Sequence, residues 1–459
     1  MLINFTPQIA KPILNKQNNP SFKSNITFDI GGSQREGSCK IYYSTSEDDI
    51  PLHQESTTVN DLGKTKFVDS SDFINQIVKK IGRVQREARK EVREKGFSKE
   101  ENALKNVTIF LPSYTSNNFA YYLPNHRNMD GYPLKDLDFN CLKQRLTDSG
   151  VEVAPELKVK IVQDAMGTGL AMTKRLYDLG MLREGKYYTA VITGGGCGIS
   201  NIEVPDNEKV IVKSSGSSYL SQSLSLQKVS RAGASAPAVI ENFCRAMGIN
   251  DELIDKIKAC HKAEFVTSET TKFPKNVKTE ELKKLLLETK KFEIKKEDEN
   301  SFTIKVKDEY KGKFNTARRN AIDKYCLALA RLAIIKKNEG SNGMIVTGKL
   351  AHALDITAKK VYKQGIADWT MQHLSQSFNS YELDKMQATY HFEVMCDDRF
   401  FIDNNTECGE LAHLSEFVDP ARGNWVKVDM NHLKKRKAEN TDQPATETIK
   451  ASEEIEEEI

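Results

Sequence analysis

The sequence predicts an α/β protein built from two domains. Its 459 residues exceed what one hydrophobic core usually organises. Several apolar strands pass through a short loop into a helix, which is the order typical of α/β folds. A pattern of strand, glycine turn and strand near residue 30 recurs about 160 residues further along the chain. Length and repeat together favour two lobes with a cleft between them.

The individual elements follow from hydrophobic periodicity. β-rich runs on either side of Gly31 and Gly32 predict a hairpin that begins at Ser24. Apolar residues at intervals of three and four predict an amphipathic helix over 71–96. Helical patterns also cover 237–262 and 316–338, and buried strands are predicted in NVTIFL, LKVKIV, YYTAVIT and GMIVT.

These elements divide the chain into regions. The predicted regions are a leader at 1–25, an N-terminal domain at 26–170, a C-terminal domain at 171–432 and a charged tail at 433–459. Residues 263–315, rich in Lys and Glu, are predicted to be an insertion formed by a helix and a hairpin. The leader, rich in Asn, Pro and Lys, is expected to be loose, and the tail is expected to be disordered because it is highly charged and has almost no apolar residues.

Composition and charge exclude several classes of protein. The net charge is only +3 and basic residues are spread along the chain, unlike the concentrated basic face of a nucleic-acid-binding protein. No apolar run reaches the roughly 20 residues that span a bilayer, and the N-terminal residues lack the order of a secretory signal. We therefore expect a cytoplasmic protein whose partners are neither nucleic acids nor membranes.

The cysteines support the same compartment. All eight are scattered and none forms a C-x-x-C pair, which fits free thiols in a reducing environment. Cys396, Cys408 and His413 match none of the usual zinc frameworks in their spacing. No structural zinc is expected.

Three glycine turns, each after an apolar strand, are candidate phosphate sites. They lie at 29–33 (DIGGS), 193–198 (TGGGCG) and 347–349 (TGK). Polyphosphate binds bare backbone N–H groups, which glycine leaves accessible because it has no Cβ. Any one turn alone is more often an ordinary hairpin turn. The run GMIVTGKL is not a P-loop, since Leu350 stands where a hydroxyl would hold magnesium and the preceding residues are β-prone.

Asp164 lies between two of these turns, where the strand LKVKIV ends and a helix begins. Ligands of α/β folds usually bind at the carboxyl ends of strands. Phosphoryl transfer requires a held phosphate, a metal ion and a base oriented at the attacking hydroxyl. Asp164 is predicted to be that base, and an N-cap role is compatible with it.

In their order along residues 26–352, these segments resemble the motifs of the ROK family (repressors, open reading frames and sugar kinases). DIGGS resembles the first phosphate motif, and LPSYTSNN with YLPNHRNMDGYPLKDLDF resembles the sugar-binding loops. LKVKIVQDAMGTGLA resembles the segment that supplies the catalytic base. AVITGGGCGIS resembles the second phosphate motif, and GMIVTGKLAHAL resembles the glycine turn beside adenosine.

This resemblance implies a two-domain actin-like ATPase (ribonuclease H-like) fold, with ATP and Mg²⁺ bound between the domains and a hexose-like acceptor. Asp29 would hold Mg²⁺ through water. The implied phosphate contacts are Gly31, Gly32, Ser33, Thr193, Gly194, Gly195, Gly196 and Gly198, with Gly348 beside the nucleoside. The implied sugar contacts are Ser113, Asn125, Gln163 and Asp164.

The sequence also departs from the family pattern. Gln163 replaces the usual Asn before the catalytic Asp and is one methylene longer. The segment after the second phosphate motif contains no His, and no Cys before Cys244, so the family's Glu-His pair and zinc motif are absent. Acceptor preference is therefore expected to differ.

Two functions remain open at this point. The first is a hexokinase- or glucokinase-like enzyme of carbohydrate metabolism such as glycolysis, and the second is a non-catalytic sugar or nucleotide sensor with the same fold. A repressor is not expected, because only 28 residues precede Asp29 and a winged-helix module needs more. A homodimer is compatible with the sequence, which does not give the oligomeric state.

Overall fold

The computed structural model describes residues 24–30, 38–45, 51–59, 66–94, 103–214, 233–376, 392–401, 409–419, 421, 424–431 and 433–434. Most of the predicted leader and nearly all of the predicted tail lie outside these ranges. Among the described residues, no helix is both long enough and apolar enough to cross a membrane.

The first part of the chain supplies two sheets and three helices. Its elements are β1 (Ser24–Ile30), β2 (Ser38–Thr45), β3 (Pro51–Thr58), β4 (Lys66–Phe67), α1 (Ser70–Glu94), β5 (Leu104–Leu111), β6 (Thr115–Ser116), β7 (Phe119–Asn128), β8 (Pro133–Asp138), α2 (Leu142–Asp148), β9 (Val153–Gln163) and α3 (Asp164–Asp178). The predicted hairpin, the helix near 71–96 and the change from strand to helix at Asp164 are confirmed.

Five strands form the first large sheet, in the order β3-β2-β1-β5-β9. The pairs β1–β2 and β2–β3 are antiparallel, whereas β1–β5 and β5–β9 are parallel. All seven residues of the central strand β1 are buried, as expected for a strand covered on both faces. The strands β4, β6, β7 and β8 form a smaller sheet that carries the loops predicted to face the acceptor.

The second part of the chain supplies another large sheet and most of the helices. Its elements are β10 (Tyr187–Thr193), β11 (Cys197–Glu203), β12 (Lys209–Ser214), α4 (Ala236–Met247), α5 (Asp251–Ala259), α6 (Glu264–Thr267), β13 (Thr270–Pro274), α7 (Val277–Glu288), β14 (Phe292–Glu297), β15 (Ser301–Val306), α8 (Lys311–Asn338), β16 (Gly343–Thr347), α9 (Lys349–Tyr362), α10 (Ile366–Gln376), β17 (Glu393–Met395), α11 (Gly409–Leu414), β18 (Glu416–Phe417) and β19 (Trp425–Asp429).

The second large sheet repeats the first. Its order β12-β11-β10-β16-β17 has the same two antiparallel pairs followed by two parallel pairs, and β19 and β18 extend its other edge. This strand order, present twice, is the ribonuclease H-like arrangement duplicated in actin-like proteins. The strand, glycine turn and strand repeat seen in the sequence therefore reflects two equivalent β-hairpins, and the predicted fold class is confirmed.

Helix α3 joins the two lobes. It continues directly from the first sheet, yet Met166, Leu170 and Met172 share a core with strands β11 and β12. A Cβ at Gly169 would lie 2.5 Å from Val212 Cγ1 and 2.7 Å from Ser200 Oγ, so glycine permits the close approach of this helix to the second sheet. The first sheet ends at Gln163, and the predicted boundary after residue 170 falls inside this connecting helix.

The predicted insertion forms a separate small sheet and a helix that pack into the core of the second lobe. Strands β13, β15 and β14 make a three-stranded antiparallel sheet, and helix α7 lies between β13 and β14 in the chain. The predicted helix and hairpin are present, with one strand more than the sequence pattern indicated.

The C-terminal helix α11 returns to the first lobe. The buried Lys160 on β9 donates hydrogen bonds to the carbonyl oxygens of Ala412 at 2.7 Å and His413 at 2.9 Å, and also to that of Ser415. These carbonyls lie at the end of the helix, where they have no partners within it. A lysine of the first sheet thereby fixes a helix that lies in the chain between strands of the second sheet.

A buried histidine makes the first lobe sensitive to acid. His126 is fully buried, its ring centroid lies 5.3 Å from that of Phe73, and neither ring nitrogen has a hydrogen-bond partner within the described ranges. Burial lowers the pKa of His126 to about 4. The unfolded chain therefore binds one more proton than the folded chain between its usual pKa of about 6.5 and pH 4.

We expect stability to fall as the pH drops through this window, by up to about 3 kcal/mol from this residue. His126→Phe keeps an aromatic ring without the titrating group, and His126→Leu tests the packing separately. Urea unfolding between pH 7 and pH 4.5 should show a shallower decline for both variants than for the wild type. An unchanged slope in both would contradict the assignment.

Candidate active site

Two carboxylates lie at the carboxyl ends of two parallel strands, β1 and β9, which flank β5 in the first sheet. Asp29, near the end of β1, pairs in register with Phe110 of β5, which pairs with Val162 of β9. Asp164 follows two residues later as the first residue of α3. The sequence places both residues at this edge because parallel strands end on the same side of a sheet.

The environment of Asp164 adapts its carboxyl group to proton transfer. Burial, with the nearby Asp29 carboxylate as the second cause, raises the pKa of Asp164 to about 7. Its Oδ1 accepts a hydrogen bond of 2.8 Å from the backbone N–H of Ala165, which opposes part of this increase. Gln163, not Asp164, occupies the N-cap position of α3. A carboxyl group with a pKa near neutrality can accept and release a proton at ordinary pH.

The second glycine turn lies beside the start of helix α3, at the residue after Asp164. It closes the hairpin between β10 and β11, and Gly195 and Gly196 are exposed. A Cβ at Gly198 would lie 2.9 Å from Ile192 Cγ2 and 3.3 Å from Ala165 Cβ. Because a side chain here would push the turn away from the start of α3, glycine allows the turn and the carboxylate to approach.

The third glycine turn packs against the second. Gly348 has a φ of +100°, and a Cβ there would lie 2.5 Å from the carbonyl oxygen of Thr193. The Thr193 hydroxyl lies 2.8 Å from the Tyr325 hydroxyl and 3.5 Å from the carbonyl oxygen of Thr347. Two turns far apart in sequence thus form one surface, with the Thr193 hydroxyl directed into the protein. A phosphate contact by Thr193 stays a prediction and would involve its backbone.

The start of helix α4 fixes the same turn from the opposite side. The backbone N–H of Ala236 donates a 2.7 Å hydrogen bond to the carbonyl oxygen of Gly194, and the Gly194 N–H donates to the Gly196 carbonyl at 3.0 Å. These two hydrogen bonds therefore hold the exposed residues of the turn in a fixed position.

The structure describes only some of the side chains that were predicted to contact the acceptor. The buried Ser113 hydroxyl donates to the Tyr114 carbonyl at 3.0 Å and accepts from the Tyr122 N–H at 3.2 Å, which holds its loop in place. The backbone of Asn125 belongs to β7, but its side chain is outside the described structure, as are Gly31, Gly32 and Ser33. Sugar contacts by Ser113 and Asn125 stay predictions.

Gln163 makes a contact that its sequence did not predict. Its Oε1 accepts a 2.6 Å hydrogen bond from Ser214 Oγ at the end of β12, and both side chains are buried. The last residue of the first sheet is therefore joined to a strand of the second. A contact between Gln163 and a sugar stays a prediction, in which its amide N–H groups would be the donors.

Sequence reasoning also missed His261, which follows α5. Its Nδ1 lies 3.6 Å from the position that a Cβ on Gly195 would occupy. A histidine after a helix in an irregular segment gave no signal, because the approach to Gly195 depends on the packing of α4 and α5. The described part of the chain also contains a cluster of His53, Glu55 and Glu87, in which Arg83 forms ion pairs with both glutamates.

Comparisons with known proteins give similarity at the level of structure alone. No protein-family model matches the sequence, and no curated protein matches it. A solved glucokinase from Balamuthia mandrillaris in complex with glucose has 10% sequence identity and a TM-score of 0.49, covering 85% of this chain and 94% of its own. A ROK-family glucokinase from Streptomyces griseus, with glucose and AMPPNP, has 10% identity and a TM-score of 0.43, covering 85% and 97%.

A third solved structure, the Lmo2764 protein of Listeria monocytogenes, described as a putative N-acetylmannosamine kinase, has 10% identity and a TM-score of 0.40. It covers 90% of this chain and 99% of its own. Since these scores all lie below 0.5, the fold assignment rests on the duplicated strand order instead.

The raised pKa of Asp164 predicts that its ionised carboxylate lowers the stability of the folded protein. Since the pKa in the folded state exceeds that in the unfolded state, the ionised carboxylate is disfavoured by folding, and stability falls as the pH rises towards 7. Asp164→Asn removes this cost. We expect it to stabilise the protein by on the order of 2 kcal/mol at pH 8 and by less at pH 5.5.

Urea unfolding at the two pH values measures this difference. Asp178→Asn, at the other end of the same helix, is the matched control, because its half-exposed carboxylate pairs with Lys174 at the surface. A gain for Asp164→Asn that is equal at both pH values would show that its carboxyl group does not titrate as described.

Proposed function

We propose that the protein transfers the γ-phosphoryl group of ATP to a hydroxyl group of a hexose-like sugar. The observation that carries this proposal is the position of Asp164: a carboxyl group with a pKa of about 7, next to Asp29 and in contact range of a glycine turn. Positioned charge and a nearby base are what phosphoryl transfer requires of a protein. The sugar as acceptor rests on the order of the five ROK-like motifs.

The proposed reaction assigns a step to each part of the site. The acceptor oxygen attacks the γ-phosphorus, the bond from that phosphorus to the β–γ bridging oxygen breaks, and ADP leaves. Asp164 accepts the proton of the attacking hydroxyl. Backbone N–H groups of Gly195 and Gly196 would bind phosphate oxygens, and Gly348 would allow the nucleoside to approach.

The described donors fit a divalent cation. Two carboxylates lie close enough for the charge of Asp29 to raise the pKa of Asp164, and oxygen ligands of this kind suit Mg²⁺. Asp29 would hold Mg²⁺ through water, as the motif resemblance implies. When bound, Mg²⁺ would neutralise charge on the transferring phosphate.

The finer features of this function are part of the same proposal. They are a glucokinase- or hexokinase-like specificity, a place in sugar metabolism such as glycolysis, the cytoplasm as compartment, a homodimer as assembly and no zinc. The first of these is the one that an acceptor screen addresses directly.

Asp164→Ala should lower sugar-dependent ADP release by about 10²- to 10⁴-fold, because the reaction loses its general base. The assay screens hexoses, amino sugars and N-acetylated amino sugars with MgATP. Asp164→Asn removes the base while keeping the shape, and Asp178→Asn again serves as the control with wild-type activity. An Asp164→Ala protein that phosphorylates sugars at the wild-type rate would rule out this mechanism.

The pH dependence of the reaction provides an independent test. If Asp164 is the base, kcat/KM should fall about tenfold for each pH unit below its pKa, which is about 7, and should level off above it. A profile that is flat from pH 5.5 to pH 8 would exclude a base with this pKa.

A second candidate function is a sensor that binds sugar or nucleotide without turnover. The absence of the family's Glu-His pair from the segment after the second phosphate motif favours it, because these residues grip the sugar in kinases of the family. Calorimetric binding of sugar and nucleotide with no ADP release when both are present would support the sensor. Rapid ADP release with any hexose would eliminate it.

A further inference from the structure

The side chain of His261 lies close to the second glycine turn. The Nδ1 atom of His261 lies 3.6 Å from the position of a Cβ on Gly195, and Gly195 and Gly196 are exposed to solvent. The His261 side chain is itself partly exposed. A ligand bound to the Gly195 backbone on this side would also contact the imidazole ring.

The backbone of His261 is in an uncommon conformation. Its φ is +56°, in the left-handed region, and its N–H donates to the Lys258 carbonyl at 3.1 Å to close the last turn of α5. Glycine usually occupies such a position, because a residue with a Cβ is strained there. Histidine and asparagine tolerate this region better than most residues.

Fixed elements hold the ring in this position. The preceding Cys260 is buried in the core that α4 and α5 share with the insertion. The start of α4 also fixes the turn itself, through the bond from the Ala236 N–H to the Gly194 carbonyl. The distance between His261 and Gly195 is thus set by packed helices on both sides.

The charges around the site indicate what an imidazole ring would contribute to ligand binding there. Asp29 and Asp164 are two carboxylates near the place where a polyphosphate would lie, and both repel it. Backbone N–H groups offset part of this repulsion as neutral donors. An imidazole offers a further N–H donor, and a positive charge when protonated.

We propose that His261 binds a phosphate group of the nucleotide at the Thr193–Gly198 turn and so determines preference for polyphosphate over unphosphorylated nucleosides. The inference rests on the proposed function, since it requires that this turn receive a nucleotide. His261 takes no proton from the acceptor in this proposal and acts in binding.

The test compares ligands that differ only in phosphate. His261→Asn keeps a residue that tolerates the left-handed backbone and removes the imidazole. Calorimetry with MgATP, MgADP and adenosine should show binding of MgATP and MgADP weakened by about 10-fold or more, the size of a lost hydrogen bond to a charged group. Adenosine affinity and sugar affinity should remain as in the wild type.

The matched control is Lys290→Asn, which changes another left-handed residue after a helix, on the exposed surface of the insertion. It should leave all affinities unchanged. His261→Gly provides a second variant that removes the ring and also relieves the backbone, and its loss of MgATP affinity should match that of His261→Asn.

Four outcomes are distinguishable. Equal MgATP affinity for wild type and both His261 variants would overturn the inference while leaving phosphoryl transfer intact. A parallel loss of adenosine affinity would also overturn it, because that result indicates a structural role. Polyphosphate binding that depends on His261, without phosphorylation of any sugar, would support the inference and contradict the proposed function. No nucleotide binding by the wild type would overturn both.

Discussion

The approach of the Gly198 turn to the start of helix α3 is the contact on which the candidate site depends. Gly198 would place a Cβ 3.3 Å from that of Ala165, next to Asp164, and Gly169 permits a similarly close approach one turn further along the helix. These two glycines bring a helix that begins in the first sheet against strands of the second. The start of helix α3, with Asp164, thereby lies beside the second glycine turn of the other lobe.

The position of Asp164 in this site costs electrostatic free energy. Burial and the neighbouring Asp29 both disfavour the ionised form of Asp164, which raises its pKa to about 7. Apolar residues at this position would fold without that penalty. A carboxyl group whose pKa is raised in this way, beside a glycine turn, is a feature typical of functional sites.

The individual strands, turns and helix starts of the site could be predicted from the sequence. Which of them come together in the fold could be predicted only in part. The pattern LKVKIVQ followed by Asp164 indicates a strand end and a helix start, because both signals lie within a few residues. Gly348 is recognisable as a turn, but its contact with the Thr193 carbonyl depends on β16 pairing with β10, which are about 150 residues apart.

Contacts made by irregular segments were beyond the reach of sequence patterns. His261 lies after a helix end with no periodic context, and only the packing of α4 and α5 brings it to Gly195. The insertion shows an intermediate case: alternation in SFTIKVKDEY predicts strand β15, whereas the short β13 has no comparable pattern. Lys160 reads as an exposed strand residue, yet it binds the carbonyls of α11.

The hydrogen bond from Ser214 to Gln163 joins the two lobes at a residue that is also predicted to contact the acceptor. The additional methylene of Gln, relative to the Asn of the ROK motif, extends the side-chain oxygen towards β12, where Ser214 Oγ donates to it at 2.6 Å. A single hydrogen bond of this kind contributes about 1 kcal/mol, too little to hold two lobes against a bound nucleotide. It is enough to orient the amide group, whose N–H donors then remain for another acceptor. Because this bond uses only the side-chain oxygen, it is compatible with the predicted contact between the amide N–H groups of Gln163 and a sugar hydroxyl.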